Sequence, residues 1–208
     1  MKTITLTEKD FVNGVYRGKV DVNNIKGNLE IEKTGRCHFE TGLLTSGYIH
    51  AIGNVSAKGR IMADDYIFVK GDIRAGDYIF SVRNISSTKG NIIAGTYIGT
   101  RGRIHAGNNI YTKKGGIGAD GDICAGGDIV SADYLHTRGG EIISRNGLIK
   151  AKNGITAYYR ILAKKTIKCD RILAGVAPYG WLSKKDGEIR CKKLVGGKVE
   201  HGYLVITK

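Results

Sequence analysis

An aliphatic residue returns every six or seven positions through most of this chain. Val55, Ile61, Ile67, Ile73, Ile79 and Ile85 follow at steps of six; steps of seven lead to Ile92 and Ile117, with Ile98, Ile104, Ile110, Ile123, Ile129 and Leu135 between and after. Ile142, Ile149, Ile155, Ile161 and Ile167 continue the series. Two positions after each comes a small residue, among them Ala57, Ala63, Val69, Ala75, Ser81, Ser87, Ala94 and Thr100. That alternation puts both side chains on one face of a short strand. Gly, Asp or Asn then turns the chain. A helix is excluded, because Ile, Val, Thr and Gly are poor helix formers and the apolar spacing is not 3.6.

Short strands turning at so brief a period predict a parallel β-helix. The residues before each aliphatic set the number of strands per coil. Every third phrase gives Asn54, Asp72, Asn91, Asn109 and Asp128, beside Gly53, Gly71, Gly90, Asn108 and Gly127. A second register gives Tyr78, Tyr97, Gly116 and Tyr134. Columns that recur at 18 or 19 residues imply a triangular coil of three strands. The expected fold is therefore all-β: a single-stranded parallel β-helix of roughly eight coils between Ile25 and Ile167, with caps. Residues 1–24 are expected as an N-terminal cap, 25–174 as the solenoid, and 175–208 as an excursion and closing cap. Corner Asn and Gly are expected to supply left-handed backbone, Asn also bonding to its copy above.

Composition narrows the function. The chain has 208 residues with 31 Gly and 1 Pro, which excludes collagen, and its abundant Ile argues against disorder. No apolar run is long enough to span a bilayer, and the N-terminus becomes charged without an apolar core, so no signal peptide is read and a cytoplasmic location is expected. Cys37, Cys124, Cys169 and Cys191 stand far apart with no CxxC, against zinc or a disulfide framework. The net charge of +14 is loaded toward one end: 16 Lys and Arg against 5 Asp and Glu follow from Arg138 onward. Such a field implies an acidic partner.

The Gly-x-[Ile/Val]-x-[Gly/Ala] phrases, as in "GDIRAGDYIF" and "GNIIAGTYIG", resemble those of bactofilins, the polymer-forming β-helical proteins, over about residues 25–175. That resemblance implies the fold and, as an alternative role, self-assembly into a homo-oligomer through coil ends. The "AGxxI" run followed by "IRCKKLVGGKVEHGYLV" is also similar to small β-helical proteins of phages and mobile elements, which implies an anti-CRISPR or other anti-defence inhibitor. The hexapeptide acyltransferases share the six-residue step, but their small residue precedes the aliphatic, and their catalytic His has no equivalent here.

Catalytic chemistry finds little support. His50 and His105 fall on one outward column three coils apart, about 14 Å, and His136 lies on another face; neither these nor His38 and His201 form a metal set. "GGIGADGDI" fits a calcium repeat only once, and no helix follows that could make a phosphate loop. No catalytic residue, metal or cofactor is expected, and the chain reads as a non-enzyme. The candidate partner surface is the basic third: Arg138, Arg145, Lys150, Lys152, Arg160, Lys164, Lys165, Lys168 and Arg171, then Lys184, Lys185, Arg190, Lys192 and Lys193. Tyr158 and Tyr159 are expected between these cations as stacking platforms for bases, and Trp181 as an anchor. The expected partner is nucleic acid or nucleoprotein, such as a CRISPR effector.

Overall fold

The computed structural model describes residues 1–177, 180–181 and 186–207. The chain winds as a parallel β-solenoid of about ten coils with three flat faces. Face I is an eleven-stranded sheet running from Thr3–Leu6 to Tyr203–Ile206. Face II carries, among others, Ile73–Ala75, Ile92–Ala94 and Ile110–Thr112; face III carries Ile79–Ser81, Ile98–Thr100 and Ile117–Ala119. Through the body of the solenoid strands pair in register one coil apart, so Ile67 meets Ile85 and Ile85 meets Ile104; among the described residues the register slips only in the last pairing, between Ile172 and Leu173. The coil count exceeds the eight expected because face I gains Thr3–Leu6 below, and Glu188–Cys191 and Tyr203–Ile206 above. Among the described residues helix is limited to 3-10 geometry, at Glu8–Asp10 and at Asp186, and no helix is long and apolar enough to cross a membrane.

The core is the predicted one. The aliphatic residues from Val55 to Ile167 and the small residues that follow them are all buried. Burying each Ile contributes about 1.5–3 kcal/mol relative to exposure. The small inward residues leave room where three walls converge.

The steps of seven share a chemical feature, which the six-residue corners after Thr45 and Thr100 also show. The four widened corners follow Ser87, Thr112, Thr137 and Ser144, all hydroxyl residues facing the core. Ser87 Oγ accepts the Gly90 N–H at 3.0 Å, and Ser144 Oγ accepts that of Gly147 at 3.1 Å. Thr112 and Thr137 donate to the Gly115 and Gly140 carbonyls at 2.6 and 2.8 Å. An inward hydroxyl satisfies the backbone group that the extra residue would strand.

The corners depart from expectation in one respect. Positive φ occurs at Asn13, Gly14, Gly27, Gly35, Gly175, Gly196, Gly197 and Gly202, and at none of the corner residues from Asn54 to Asp128. Close approach, not left-handed backbone, selects glycine there: a Cβ on Gly71 would overlap Asn54 Oδ1 one coil below. Gly116 likewise leaves the space that the Tyr134 ring fills. The Asn/Asp column itself is the expected ladder. The Oδ1 atoms of Asn54, Asp72, Asn91 and Asn109 accept the N–H of Asp72, Asn91, Asn109 and Asp128 at 2.8, 2.8, 3.1 and 2.7 Å. Asp128 Oδ1 accepts the Leu148 N–H at 2.9 Å, where the ladder stops.

The two ends differ. At the N-terminal end Phe11, Tyr16 and Phe39 pack ring to ring, with centroids 5.4–5.9 Å apart, under an ion pair between Lys33 and Glu8. At the other end Leu204, in register with Ile189, is 40% exposed, and Ile206 is 55% exposed. The excursion leaves the coil between faces III and I, where Val176–Ala177 pairs antiparallel with Gly180–Trp181.

Candidate nucleic-acid interface

Following each candidate residue to its corner or face separates the basic third into three edges. Arg145, Lys164, Lys165, Lys192 and Lys193 stand on the edge between faces I and II, directly above the Asn/Asp ladder. Backbone bonds stack them: Lys164 N–H to Ser144 O at 3.1 Å, Lys165 N–H to Gly147 O at 3.0 Å, and Lys192 N–H to Lys165 O at 2.7 Å. Lys150 and Lys168 point outward from the adjoining face II, one above the other as expected. Arg190 points out from face I on the other side of the edge.

The remaining candidates lie elsewhere. Lys152 and Arg171 occupy the II/III edge. Arg138, Tyr158, Tyr159 and Arg160 occupy the III/I edge, so the two tyrosines do not interleave with Lys150 and Lys168. Chain neighbours five or more residues apart in a three-sided coil face different directions, and proximity in sequence misled the expectation. Tyr158 and Tyr159 instead pack against each other edge to face, centroids 4.5 Å apart. The backbone of Trp181 also leaves from the III/I edge, and Lys184 and Lys185 lie outside the described residues.

Ion pairing divides the edges again. On III/I most arginines are matched among the described residues: Arg83 with Asp65 and Arg103 with Asp122 at 3.3 Å, Arg138 with Asp120 at 3.6 Å, and Arg160 with Glu141, whereas Arg101 is not. Arg190 is held by Glu188. Among the described residues, Arg145, Lys150, Lys164, Lys165, Lys168, Lys192 and Lys193 form no such pair. Coils are about 4.8 Å apart, and two unit charges at that separation repel by roughly 0.8 kcal/mol even in water's dielectric. Lys70 and Lys89 extend the same edge downward, below two coils whose corners are Gly107–Asn108 and Gly126–Gly127. The rail from Lys70 to Lys192 is about 29 Å long by that coil spacing.

One hollow borders the rail, and a second groove lies beyond it across face II, toward the II/III edge. On the face I side Ile143 and Leu162 floor a hollow of about 420 Å³, ringed by Arg145, Lys164, Arg190 and Lys192. On face II a groove of about 540 Å³ runs past Tyr111, Val130, Lys150, Lys168 and Val195, all on one outward column. Sequence reasoning missed Tyr111 and Val130, although each is the residue after the aliphatic in every third phrase and could have been found by counting phrases. It also missed Lys70 and Lys89, whose place on the same edge follows from the same count.

Titrating groups nearby are muted rather than activated. Burial, helped by Arg145, holds the His105 imidazole below its ordinary value, and burial with Arg138 does the same to His136. Burial pushes the Cys169 thiol up to about 12 and the Cys37 thiol to about 11, and raises Cys124 and Cys191. None of these thiols is poised as a thiolate nucleophile. His50 is tied through Nδ1 to Glu30 at 2.6 Å, three coils from His105 on the outward column of face I. Among the described residues no three His, Cys, Asp or Glu side chains converge as a metal site would require.

Compared with known proteins, the chain matches no family model, no curated protein and no solved structure.

Proposed function

We propose that the chain is a non-enzymatic binding protein whose I/II edge engages nucleic-acid phosphates, free or within a nucleoprotein. One observation carries this reading: seven cations cluster on one edge and its adjoining face with no carboxylate partner, while four arginines of the III/I edge, Arg83, Arg103, Arg138 and Arg160, each have one. Repulsion among aligned charges destabilises the fold, so the arrangement gains its use from an external polyanion. A regular rail of Lys and Arg suits phosphates spaced along a strand, and it reads charge rather than base identity. A phage-encoded inhibitor of a CRISPR effector would act through such a surface by occupying a nucleic-acid channel.

The test is a titration of labelled DNA by filter binding between 50 and 200 mM salt. Five phosphate contacts give a log–log slope of about −3.5 on single strands and about −4.5 on duplex. Absence of binding at 50 mM salt, or binding insensitive to salt, overturns the proposal.

A second reading, self-association, draws on the C-terminal end, where Leu204 and Ile206 are exposed. The aromatic plug at the other end blocks a repeating head-to-tail contact, so this reading predicts a closed tail-to-tail dimer. Light scattering at high concentration that returns a monomer removes it.

A further inference from the structure

The groove on face II has a composition that phosphate binding alone does not call for. Its outward column passes from Ile93 through Tyr111 and Val130 to Lys150 and Lys168, an apolar surface that turns cationic within one coil. Tyr111 is 38% exposed and stands on a flat sheet wall. Both flanks of the groove carry cations. Toward the II/III edge its lining includes Lys152 and Asp170, with Lys113, Lys114 and Arg171 exposed on the same edge. Toward the I/II edge lies the unpaired rail of Arg145, Lys164 and Lys165. A ligand seated here meets cations along its rim and an apolar wall with an aromatic ring beneath it. Double-stranded nucleic acid does not fit that description, because its bases are stacked inside and only its phosphates would meet the wall. An unpaired nucleotide does fit.

We infer that this groove receives an unstacked base of single-stranded nucleic acid, with Tyr111 as the stacking platform and the I/II rail holding the adjoining phosphates. The inference rests on the phosphate-binding reading above and narrows it to single strands. The geometry is consistent in scale. Tyr111 lies two coils below Lys150 and three below Lys168, about 10 and 14 Å, within the reach of one or two nucleotides. The volume of about 540 Å³ falls in the ~300–1,000 Å³ range of small-ligand sites. Stacking on an aromatic ring tolerates any base, so sequence preference should be weak.

The experiment compares fluorescence anisotropy of a labelled 15-nucleotide oligothymidine and a blunt duplex of the same length at 50 mM salt, using the full chain. Tyr111→Ala should weaken single-strand binding about 5- to 150-fold, the range for losing one base–aromatic stack, and leave duplex binding within about twofold. Tyr111→Phe, which keeps the ring, should bind single strands like the parent. The side chain is at the surface, and an unchanged melting curve for Tyr111→Ala confirms that the wall is intact. If Tyr111→Ala binds both probes as the parent does, or weakens both equally, the base site is wrong while salt-sensitive binding still supports the phosphate rail. If the parent binds neither probe, both ideas fall together.

Discussion

The same edge of the prism does two jobs on either side of Leu148. Below it, each corner presents an Asn or Asp whose oxygen takes the next coil's N–H, and the column is closed on itself. From that corner upward, Arg145, Lys164, Lys165, Lys192 and Lys193 take the edge, hold their place through backbone bonds alone, and turn their charges outward, as only Lys70 and Lys89 do beside the ladder below. The lower half uses side chains to stabilise the stack. The upper half gives up that contribution and accepts repulsion. A corner whose polar groups are satisfied internally needs nothing else, whereas one that accumulates like charge is built for something outside the chain.

The largest expected effect separates the two kinds of cation. Replacing Arg145, Lys164 and Lys192 together by Ala should lower nucleic-acid affinity on the order of 100-fold and should not lower the melting temperature, because repulsion is relieved. The matching triple on the self-neutralised edge, Arg103→Ala with Arg138→Ala and Arg160→Ala, should change affinity by less than about threefold. Equal losses from both triples would mean that binding follows net charge and that the I/II edge has no special role.

Next in size is the ladder. Asn91 accepts from both the N–H and the side-chain amide of Asn109 and donates to Asp72 Oδ1 at 3.0 Å. Asn91→Ala should cost about 1–3 kcal/mol of stability in denaturant unfolding while leaving nucleic-acid affinity untouched. A loss of affinity in a folded Asn91→Ala protein would erase the division between the two halves.

The smallest effect is on acid stability, and it also tests the upper half. His105 and His136 have pKa values below the ordinary 6.5 in the folded chain. The unfolded chain therefore takes up protons first, so their contribution to stability is present above about pH 6.5 and is lost as pH falls through the lower folded values. Removing Arg145 takes away one cause of the His105 depression. In Arg145→Ala the decline in melting temperature between pH 7 and pH 5 should be slightly shallower than in the parent.

Much of the architecture was legible because a solenoid writes its geometry in one dimension. Any residue's neighbour above or below lies 18 or 19 positions away in most coils, so the Asn54–Asp128 column and the Lys150–Lys168 pair were readable directly. The widened corners were visible as steps of seven, but their reason was not, since the hydroxyls of Ser87, Thr112, Thr137 and Ser144 look like ordinary small core residues until their bonds to the turn are seen. The site was legible only in part. Counting basic residues along the chain mixes three edges into one patch, and ion pairing then removes Arg138, Arg160 and Arg190 from the free set. For Arg138 and Arg160 the pairing depends on which carboxylate sits one coil away, a relation that a linear charge tally does not contain.

The in-register stacking of successive coils has a bearing on how such a molecule can change length. Inserting or deleting one complete turn moves everything above it by a single step along the axis and keeps every column in register, so the charged rail stays on the edge it occupies. Its separation from the plugged end is thus quantised, and descendants of this chain can adjust the span between two attachments the way a ruler is cut, without redesigning either one.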